Sequence, residues 1–210
     1  QSDLVAPLGA GPEVAVAATK SFVSSLVALA SIVAAWSEDE VLQDGLKALP
    51  EALDRALDVD LTRAFEHVRV GSSSFTLGRG PGLAISDEAA LKLKEVCRAH
   101  AESFSAAEVL HGPIAIADGV FSALAFGSAD AGETSVIDAV DRLRATGARV
   151  HLLDSEVEGI DTLRTVAAPH PLLNPIVQIT SFYRAIERRA AELGLDADKP
   201  AHLKKVTETR

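Results

Sequence analysis

Residues 75–97 read FTLGRGPGLAISDEAALKLKEVC, and this order of apolar, glycine-rich and charged segments indicates the architecture of the chain. The apolar run at residues 75–77 predicts a short β-strand. Glycines and a proline follow at residues 78–82, a composition typical of a tight turn. From about Ser86 onward, apolar and charged residues recur with helical spacing, which predicts an α-helix. A strand joined to a helix by a Gly-rich turn is a building unit of α/β folds.

The same unit recurs towards the C terminus. Residues 120–126 form a run that is apolar except for one serine, which predicts a buried strand, and a second Gly-rich turn follows at residues 127–132. Further strands are predicted at residues 149–153 and 162–167, and helices at residues 133–146 and 172–193. Strands that alternate with helices predict a parallel sheet covered by helices. Ligands of such sheets bind at the carboxyl ends of the strands, where both Gly-rich turns lie.

The first seventy residues follow a helical pattern instead. A long alanine-rich segment at residues 14–36 predicts a buried helix, and leucines at helical spacing predict an amphipathic helix at residues 38–58. Pro50 is expected to break that second helix or to begin a new one. A shorter helix is predicted at residues 61–70, before the boundary sequence GSSS. We therefore expect residues 1–70 and 71–210 to belong to two structural units.

The composition excludes several classes of protein. The formal net charge is −10, which argues against a nucleic-acid surface, because such a surface needs clustered basic residues. No apolar run is long enough for a membrane span and no signal peptide is evident, so we expect a cytoplasmic protein without a membrane partner. A single cysteine, Cys97, and histidines without zinc-type spacing predict no metal site and no cofactor. Because the sequence contains no Met, we expect it to be part of a longer protein.

The helix of the opening stretch carries a stripe of polar residues. At helical spacing, Glu88, Lys92 and Glu95 share one face, and the stripe continues to Ala99 and Glu102. One interpretation is a solvated face held by ion pairs three and four residues apart. The other is the wall of a pocket, with Glu95 as a general base and Lys92 beside it to tune the base or hold an anion. The residue pattern alone favours the solvated face.

Three further features allow either a structural or a functional interpretation. His111 precedes the rigid pair Gly112 and Pro113, and it is either a loop histidine or a group that moves protons near neutral pH. The backbone N–H groups of the turn at residues 78–82 could cradle a phosphate, although its proline removes one donor. Lys205 belongs either to a frayed terminus or to a site.

Together these motifs resemble a known family. The segments GRG, EAALKLKE, HAE and E-x-x-HGP, in this order, are similar to the isomerase domain of glucosamine-6-phosphate synthase and to stand-alone glucosamine-6-phosphate deaminases. Those proteins are built from tandem sugar isomerase (SIS) domains. GPEVAVAATKSF resembles the end of the first SIS domain, and DKPAHLKKVT resembles the last segment of the family. The resemblance implies a three-layer α/β fold with a parallel sheet flanked by helices, preceded by the helical end of a first SIS domain.

The resemblance also implies catalytic roles for individual residues. Glu95 matches the base that moves a proton between C1 and C2 of the sugar phosphate, and Lys92 matches a lysine beside that base. His111 matches a histidine that assists ring opening and reaches the site from the neighbouring subunit of a homodimer. Lys205 matches the tail lysine that forms an imine with the open-chain ketose, for which it must be deprotonated.

Further residues match the family's substrate site. Val16 and Thr19 match positions that line the sugar site, and Glu88 matches a supporting carboxylate. By the same resemblance, residues 1–70 are the truncated end of the first SIS domain with linking helices, and residues 71–210 are the second SIS domain with its catalytic tail. The family's Ser/Thr-rich phosphate loop and its glutaminase have no counterpart in this sequence. Cys97 does not match the glutaminase nucleophile and is expected in the core.

These roles predict an enzyme that acts on an amino-sugar phosphate such as glucosamine-6-phosphate. The main interpretation is an isomerising deaminase that yields fructose-6-phosphate and ammonia by ring opening, imine chemistry and C1/C2 proton transfer. The alternatives are the isomerase domain of a glutamine-dependent fructose-6-phosphate aminotransferase, a deglycase of fructosamine phosphates, and a sugar-phosphate sensor without catalysis. The presence of Glu95, His111 and Lys205 together argues against the sensor, because a sensor needs no base.

Overall fold

A parallel β-sheet forms the centre of the computed structural model, which describes residues 5–128, 130–155, 157 and 159–205. Within those residues the sheet has five strands: β1 (Ser73–Gly78), β2 (His100–Ser105), β3 (Ser122–Phe126), β4 (Arg149–Leu153) and β5 (Asp161–Leu163). Their spatial order is β2-β1-β3-β4-β5, and each neighbouring pair is parallel. Every residue of the central strand β3 is buried, because helices cover both faces of the sheet.

Five α-helices accompany the sheet in the described residues: α1 (Lys20–Trp36), α2 (Glu40–Ala56), α3 (Pro81–Cys97), α4 (Glu133–Ala145) and α5 (Asn174–Glu192). Short 3-10 turns lie at Thr62–Phe65, Glu108–Leu110, Pro113–Ile116 and Pro171–Leu173. Helices α3, α4 and α5 alternate with or follow the strands, as expected for parallel connections. The predicted α/β fold with a parallel sheet flanked by helices is confirmed.

Three apolar clusters show how the layers pack. On one face of the sheet, residues of α3 and α5 meet alternate residues of β3, with Leu93, Phe126 and Phe182 buried together. On the other face, α4 packs on β1, β3 and β4. A third cluster joins α1 and α2 to α5. This arrangement makes a three-layer unit to which the α1–α2 pair is attached through α5, while the division into two units at residue 70 stays a prediction.

Helix α3 begins earlier and ends earlier than the pattern indicated. It starts at Pro81, which occupies the first helical turn where a missing N–H costs nothing, instead of near Ser86. Gly80 before it has a φ of 53°, and a Cβ on Gly78 would lie 2.2 Å from the carbonyl oxygen of Gly82. The turn therefore requires glycine at both positions, for left-handed backbone and for close approach.

Strand β2 was missed by the sequence pattern. Helix α3 ends at Cys97, and Arg98 follows in the left-handed region with a φ of 52°, so the chain turns away from the helix axis. Ala99 and Glu102 therefore do not continue the polar stripe, because Glu102 lies in β2. The strand was hidden because it is the sheet edge, where exposed His100 and Glu102 replace the apolar run of a central strand.

The helical predictions for the first seventy residues were correct in type but not in extent. Helix α1 begins at Lys20, after a described segment without helix or strand, although a helix is expected from residue 14. Pro50 lies inside a continuous α2 and neither breaks it nor starts a new helix. The helix expected at residues 61–70 is only the 3-10 turn Thr62–Phe65. Among the described residues, none of the helices is both long and apolar enough to cross a membrane.

Candidate active site

The polar stripe of α3 is buried. Glu88 retains 8% of its accessible surface and Lys92 only 3%, while Glu95 is partly buried. The Lys92 Nζ lies 2.6 Å from Glu95 Oε2 and 3.4 Å from Glu88 Oε1. One ammonium therefore faces two carboxylates, and the helical spacing of three and four residues places all of them on one side. The solvated-face interpretation is wrong for these three residues, whereas neighbouring Lys94 is exposed.

A hydroxyl from α5 completes this cluster. The Tyr183 OH donates to Glu88 Oε1 at 2.7 Å. Burial raises the pKa of Glu88, against the lowering by the Tyr183 hydrogen bond and the Lys92 charge. Burial, followed by the charge and hydrogen bond of Glu88, raises the pKa of Tyr183 well above its usual range. Tyr183 is therefore a hydrogen donor throughout the neutral range.

A cavity of about 350 Å³ opens in front of the cluster. Helix α3 contributes Glu88, Leu91, Lys92 and Glu95 to its wall, the segment before α1 contributes Val16 and Ala18, and α1 contributes Ser21, Phe22 and Ser25. A second cavity, of about 300 Å³, is also lined by Lys92, together with Thr19, Tyr183 and Asp198 among others. Val16 and Thr19, both predicted at the sugar site, thus line two cavities that share Lys92.

Glu13 anchors the segment that carries Val16 and Thr19. Its carboxylate accepts the backbone N–H groups of Thr19 and Lys20, both at 2.7 Å, and the hydroxyl of Ser21. Burial alone would raise the pKa of Glu13, but these hydrogen bonds lower it to about 2. A carboxylate at the first turn of α1 also interacts favourably with the helix dipole. The segment is therefore fixed against the N terminus of α1, beside the cavity.

The C-terminal tail returns to the same segment. The Val16 N–H donates to the Asp198 carbonyl at 3.0 Å. The Lys205 Nζ donates to the Ala15 carbonyl at 2.6 Å, and Lys205 is exposed. Lys205 is thus not a frayed end, since it binds the residue next to Val16. It does not line the cavity of Glu88, Lys92 and Glu95.

His111 stands apart from this cavity in the described chain. It follows the 3-10 turn Glu108–Leu110 near the end of β2, and it is exposed. The Glu108 carboxylate accepts the Ser105 N–H at 3.3 Å, which fixes that turn. His111 is not among the residues that line the cavity of Glu88, Lys92 and Glu95. Its assignment to a neighbouring subunit's site stays a prediction.

The Gly-rich turns form a separate cleft at the carboxyl ends of the adjacent inner strands β1 and β3. A cavity of about 340 Å³ lies between the residues after β1 and β3, where the strand order reverses, and its lining includes Gly82, Ser128 and Asp130. The Asp130 carboxylate accepts the Gly132 N–H at 2.7 Å and the Ser128 hydroxyl. The Asp130 carboxylate therefore already accepts hydrogen bonds that this turn could otherwise donate to a phosphate. The predicted catalytic residues do not line this cleft, so the expected location of the site at the strand ends is not where Glu95 lies.

Comparison with known proteins agrees with the fold and the motifs. No family model matches the chain. The glutamine–fructose-6-phosphate aminotransferase of Methanothermobacter thermautotrophicus is 34% identical over 207 residues, which cover 93% of this chain and 34% of the relative. The structure of a proposed phosphosugar isomerase from Silicibacter pomeroyi is 44% identical, with a TM-score of 0.83 over 91% of this chain and 58% of that one.

The chain belongs to the sugar isomerase (SIS) domain family.

A further SIS structure is the C-terminal domain of the Francisella tularensis glucosamine-fructose-6-phosphate aminotransferase. It is 27% identical with a TM-score of 0.82, over 91% of this chain and 59% of that one. The glucosamine-6-phosphate deaminase of Thermotoga maritima is 22% identical with a TM-score of 0.67, which shows a shared fold alone. The chain spans about a third of the length of the curated relative from Methanothermobacter and under two thirds of the similar structures.

Two residues of this SIS site were not found from the sequence. Tyr183 lies next to Phe182 on a helix that was predicted as a whole, and only the fold brings it to Glu88, 95 residues earlier. A tyrosine on an apolar helix face does indicate a buried hydroxyl that needs a hydrogen-bond acceptor. Glu13 lies seven residues before Lys20, the first residue of α1, which is too far for an ordinary N-cap. The local sequence therefore gives no signal for its hydrogen bonds to the start of α1.

Proposed function

We propose that the full protein catalyses aldose–ketose isomerisation of a hexose 6-phosphate, as the isomerase part of a glutamine-dependent fructose-6-phosphate aminotransferase. The observation that carries the proposal is the buried Lys92–Glu95 pair, 2.6 Å apart on a cavity wall. Burying a charged group away from water costs on the order of several kcal/mol per ion. A buried ion pair is therefore weak evidence that the pair stabilises the fold. Function is a better reason than stability for keeping them there.

The proposed chemistry moves one proton between adjacent carbons. Glu95 removes a proton from one of C1 and C2 of the open-chain sugar phosphate, and returns it to the other. Negative charge develops on the substrate when the proton leaves, and the Lys92 ammonium lies close enough to the base to stabilise it. Val16 and Ser21, which also line the cavity, would contact the sugar.

Lys205 and His111 have supporting roles in this proposal. Lys205 attacks the ketose carbonyl, forming the C=N bond as water leaves, and it must first release the Ala15 carbonyl. His111 assists ring opening in the site of a neighbouring subunit, which makes the proposed protein a homodimer. Since the SIS family's phosphate loop lies in the first SIS domain, we propose that this loop completes the site in the full protein.

Glucosamine-6-phosphate deamination by a stand-alone enzyme is the second candidate. The greater identity to the proposed phosphosugar isomerase, 44% against 34% for the aminotransferase, is the observation that keeps a candidate other than the aminotransferase. The aminotransferase receives more support overall, because the Thermotoga maritima deaminase is only 22% identical to this chain. The sensor receives the least support, because binding alone requires no buried carboxylate–ammonium pair.

The experiment that tests the function uses the full-length protein. Fructose-6-phosphate is supplied with glutamine or ammonium in D₂O, and glucosamine-6-phosphate is assayed together with deuterium at C2. The reverse assay supplies glucosamine-6-phosphate and measures ammonia and fructose-6-phosphate. Use of glutamine supports the aminotransferase, and rapid ammonia release without glutamine activity supports the deaminase. Binding of both sugar phosphates with neither turnover nor exchange would leave only the sensor.

Glu95→Gln is the decisive variant for the proposed base. We expect proton exchange at C2 to fall by roughly a thousandfold or more, because general base catalysis contributes about 10² to 10⁴ in rate, while sugar-phosphate binding persists. Lys94→Gln is the matched control, since Lys94 is exposed on the same helix. Exchange in Glu95→Gln at the rate of the Lys94→Gln variant removes Glu95 from the mechanism.

A further inference from the structure

Tyr183 is the one group of α5 that hydrogen-bonds to the charged cluster of α3 among the described residues. Its ring centroid lies 6.1 Å from that of Phe182, which is fully buried in the core between α3, α5 and the sheet. The ring is therefore held by packing, and its hydroxyl reaches Glu88 Oε1 at 2.7 Å. The same carboxylate oxygen lies 3.4 Å from the Lys92 Nζ.

The charges around Glu88 make this hydrogen bond consequential. Lys92 and Glu95 face it from its own helix, and Tyr183 faces it from α5. The α1 residues that line the same cavity, Ser21, Phe22 and Ser25, carry no charge. A single ammonium thus serves two carboxylates in a buried place, where an ionised group needs hydrogen bonds to stay ionised.

The direction of the effect follows from the pKa of Glu88. Burial raises that pKa, and the Tyr183 hydroxyl and the Lys92 charge lower it. Because the pKa of Tyr183 is itself raised above its usual range, the hydroxyl keeps its hydrogen at every pH of a practical assay. Loss of the hydroxyl leaves Lys92 as the main group that favours ionised Glu88.

We propose that Tyr183 is a positioning residue for the isomerisation, which acts by keeping Glu88 ionised and so holding the Lys92 ammonium between Glu88 and Glu95. The inference rests on the proposed function of Glu95 as the base. If Glu88 takes up a proton, the Lys92 ammonium pairs with Glu95 alone. That stronger ion pair makes the Glu95 carboxylate a poorer acceptor of the substrate proton. Tyr183 would thereby affect the rate of proton transfer without touching the substrate.

The first test is kinetic and uses Tyr183→Phe in the full-length protein. We expect kcat for C2 proton exchange to fall roughly tenfold to hundredfold, in line with the loss of a hydrogen bond to a charged group, and KM to change less than about threefold. The pH dependence of kcat/KM should move as well. Ser181→Ala is the control, because Ser181 is also a buried hydroxyl of α5 but donates to the Ala56 carbonyl at 3.0 Å.

A second variant separates positioning from packing. In a Glu88→Gln background the charge that Tyr183 supports is absent, so adding Tyr183→Phe should lower kcat by less than about threefold. A merely structural tyrosine would lower kcat by the same factor in both backgrounds, and that result overturns the inference. Equal activity of wild type and Tyr183→Phe overturns it too.

A third measurement does not depend on turnover. The side-chain carboxyl resonance of Glu88 in ¹³C NMR is identified by its absence from Glu88→Gln, and its titration midpoint is compared between wild type and Tyr183→Phe. We expect a higher midpoint in Tyr183→Phe, and an unchanged midpoint contradicts the inference. If wild type shows no exchange with either sugar phosphate, the proposed function fails, while the midpoint still decides whether Tyr183 controls the charge of Glu88.

Discussion

At the residue scale, Lys92 is the group on which the cluster depends. It is 3% exposed and lies within ion-pair distance of Glu88 and Glu95. An isolated surface pair adds little to stability, but one partner of a buried pair cannot be removed without leaving the other charged in a poor solvent. The spacing of three and four residues predicts the ion pairs of Lys92 with Glu95 and Glu88. Their burial, which makes the loss of one partner costly, comes from α5 and from the segment before α1.

Substitution of Lys92 should therefore destabilise the protein. In Lys92→Met the buried Glu88 and the partly buried Glu95 lose their shared cation, and we expect the free energy of unfolding to fall by about 3 kcal/mol at neutral pH. Urea denaturation of the full-length protein measures the change. Lys94→Met, which removes an exposed lysine two positions later, should change it by no more than about 0.5 kcal/mol. Equal effects in both variants would mean that the cluster is hydrated.

Cys97 illustrates a residue whose environment agrees with the sequence prediction. It is fully buried, and burial raises the pKa of its thiol to about 12, with a small opposing effect of Arg189. Thiolate is the reactive form, so the native protein holds almost no nucleophilic sulfur at this position. The apolar positions around it on α3 already indicated a core residue.

At the element scale, the N terminus of α1 is stabilised by a carboxylate that is distant in sequence. Glu13 accepts backbone N–H groups at the start of α1, where the first N–H groups of a helix lack partners within it. Thr19 occupies the cap position but makes no capping hydrogen bond with its side chain. The helix therefore depends on Glu13 for a role that a neighbouring residue usually fills.

Glu13→Gln should lower stability in a pH-dependent way. We expect a loss of about 1–2 kcal/mol at neutral pH, the range of capping and helix-dipole effects. The folded-state pKa of Glu13 is about 2, below the ordinary 4.5, so its contribution is present above pH 4.5 and is lost as the pH falls towards 2.

Unfolding curves of wild type and Glu13→Gln should accordingly converge as the pH falls. Glu51→Gln serves as the control, because the Glu51–Arg55 ion pair on α2 is largely exposed and should contribute under about 0.5 kcal/mol. A constant difference between wild type and Glu13→Gln from pH 7 down to pH 2 would contradict the assigned role of Glu13.

At the scale of the whole molecule, α5 links every part of the site. It packs on α3 and the sheet through one cluster and on α1 and α2 through another. Phe182 lies at the first of these contacts, with ring centroids of Phe65 and Phe126 at 5.5 and 6.4 Å. The adjacent Tyr183 therefore reaches Glu88 only if α5 is seated on α3.

Phe182→Ala should weaken the fold and the cluster together. We expect a loss of about 3–5 kcal/mol in the free energy of unfolding, as for large-to-small changes in a packed core. Thermal or urea unfolding checks the stability, and the Glu88 carboxyl resonance checks the cluster. Val120→Ala is the control, because Val120 is 79% exposed. A Phe182→Ala protein that unfolds like the control would show that α5 is held by other contacts.

Local sequence was sufficient for features that repeat along the chain. The apolar run of β3, the Gly-rich turn before α3 and the spacing of Glu88, Lys92 and Glu95 depend on residues close to one another, so their pattern predicted the α/β class and one face of α3. Strand β2 escaped because an edge strand needs no apolar run, and the end of α3 escaped because Arg98 adopts a left-handed conformation without being glycine.

Whether the stripe of α3 faces water or a pocket could be decided only in three dimensions. Charged residues at helical spacing have the same pattern in either environment, and the difference is what packs against them. Here Tyr183 from α5, 95 residues away in sequence, and the segment held by Glu13 cover that face. Burial of charge depends on contacts between distant elements, so it is a property of the folded chain that no local pattern can encode.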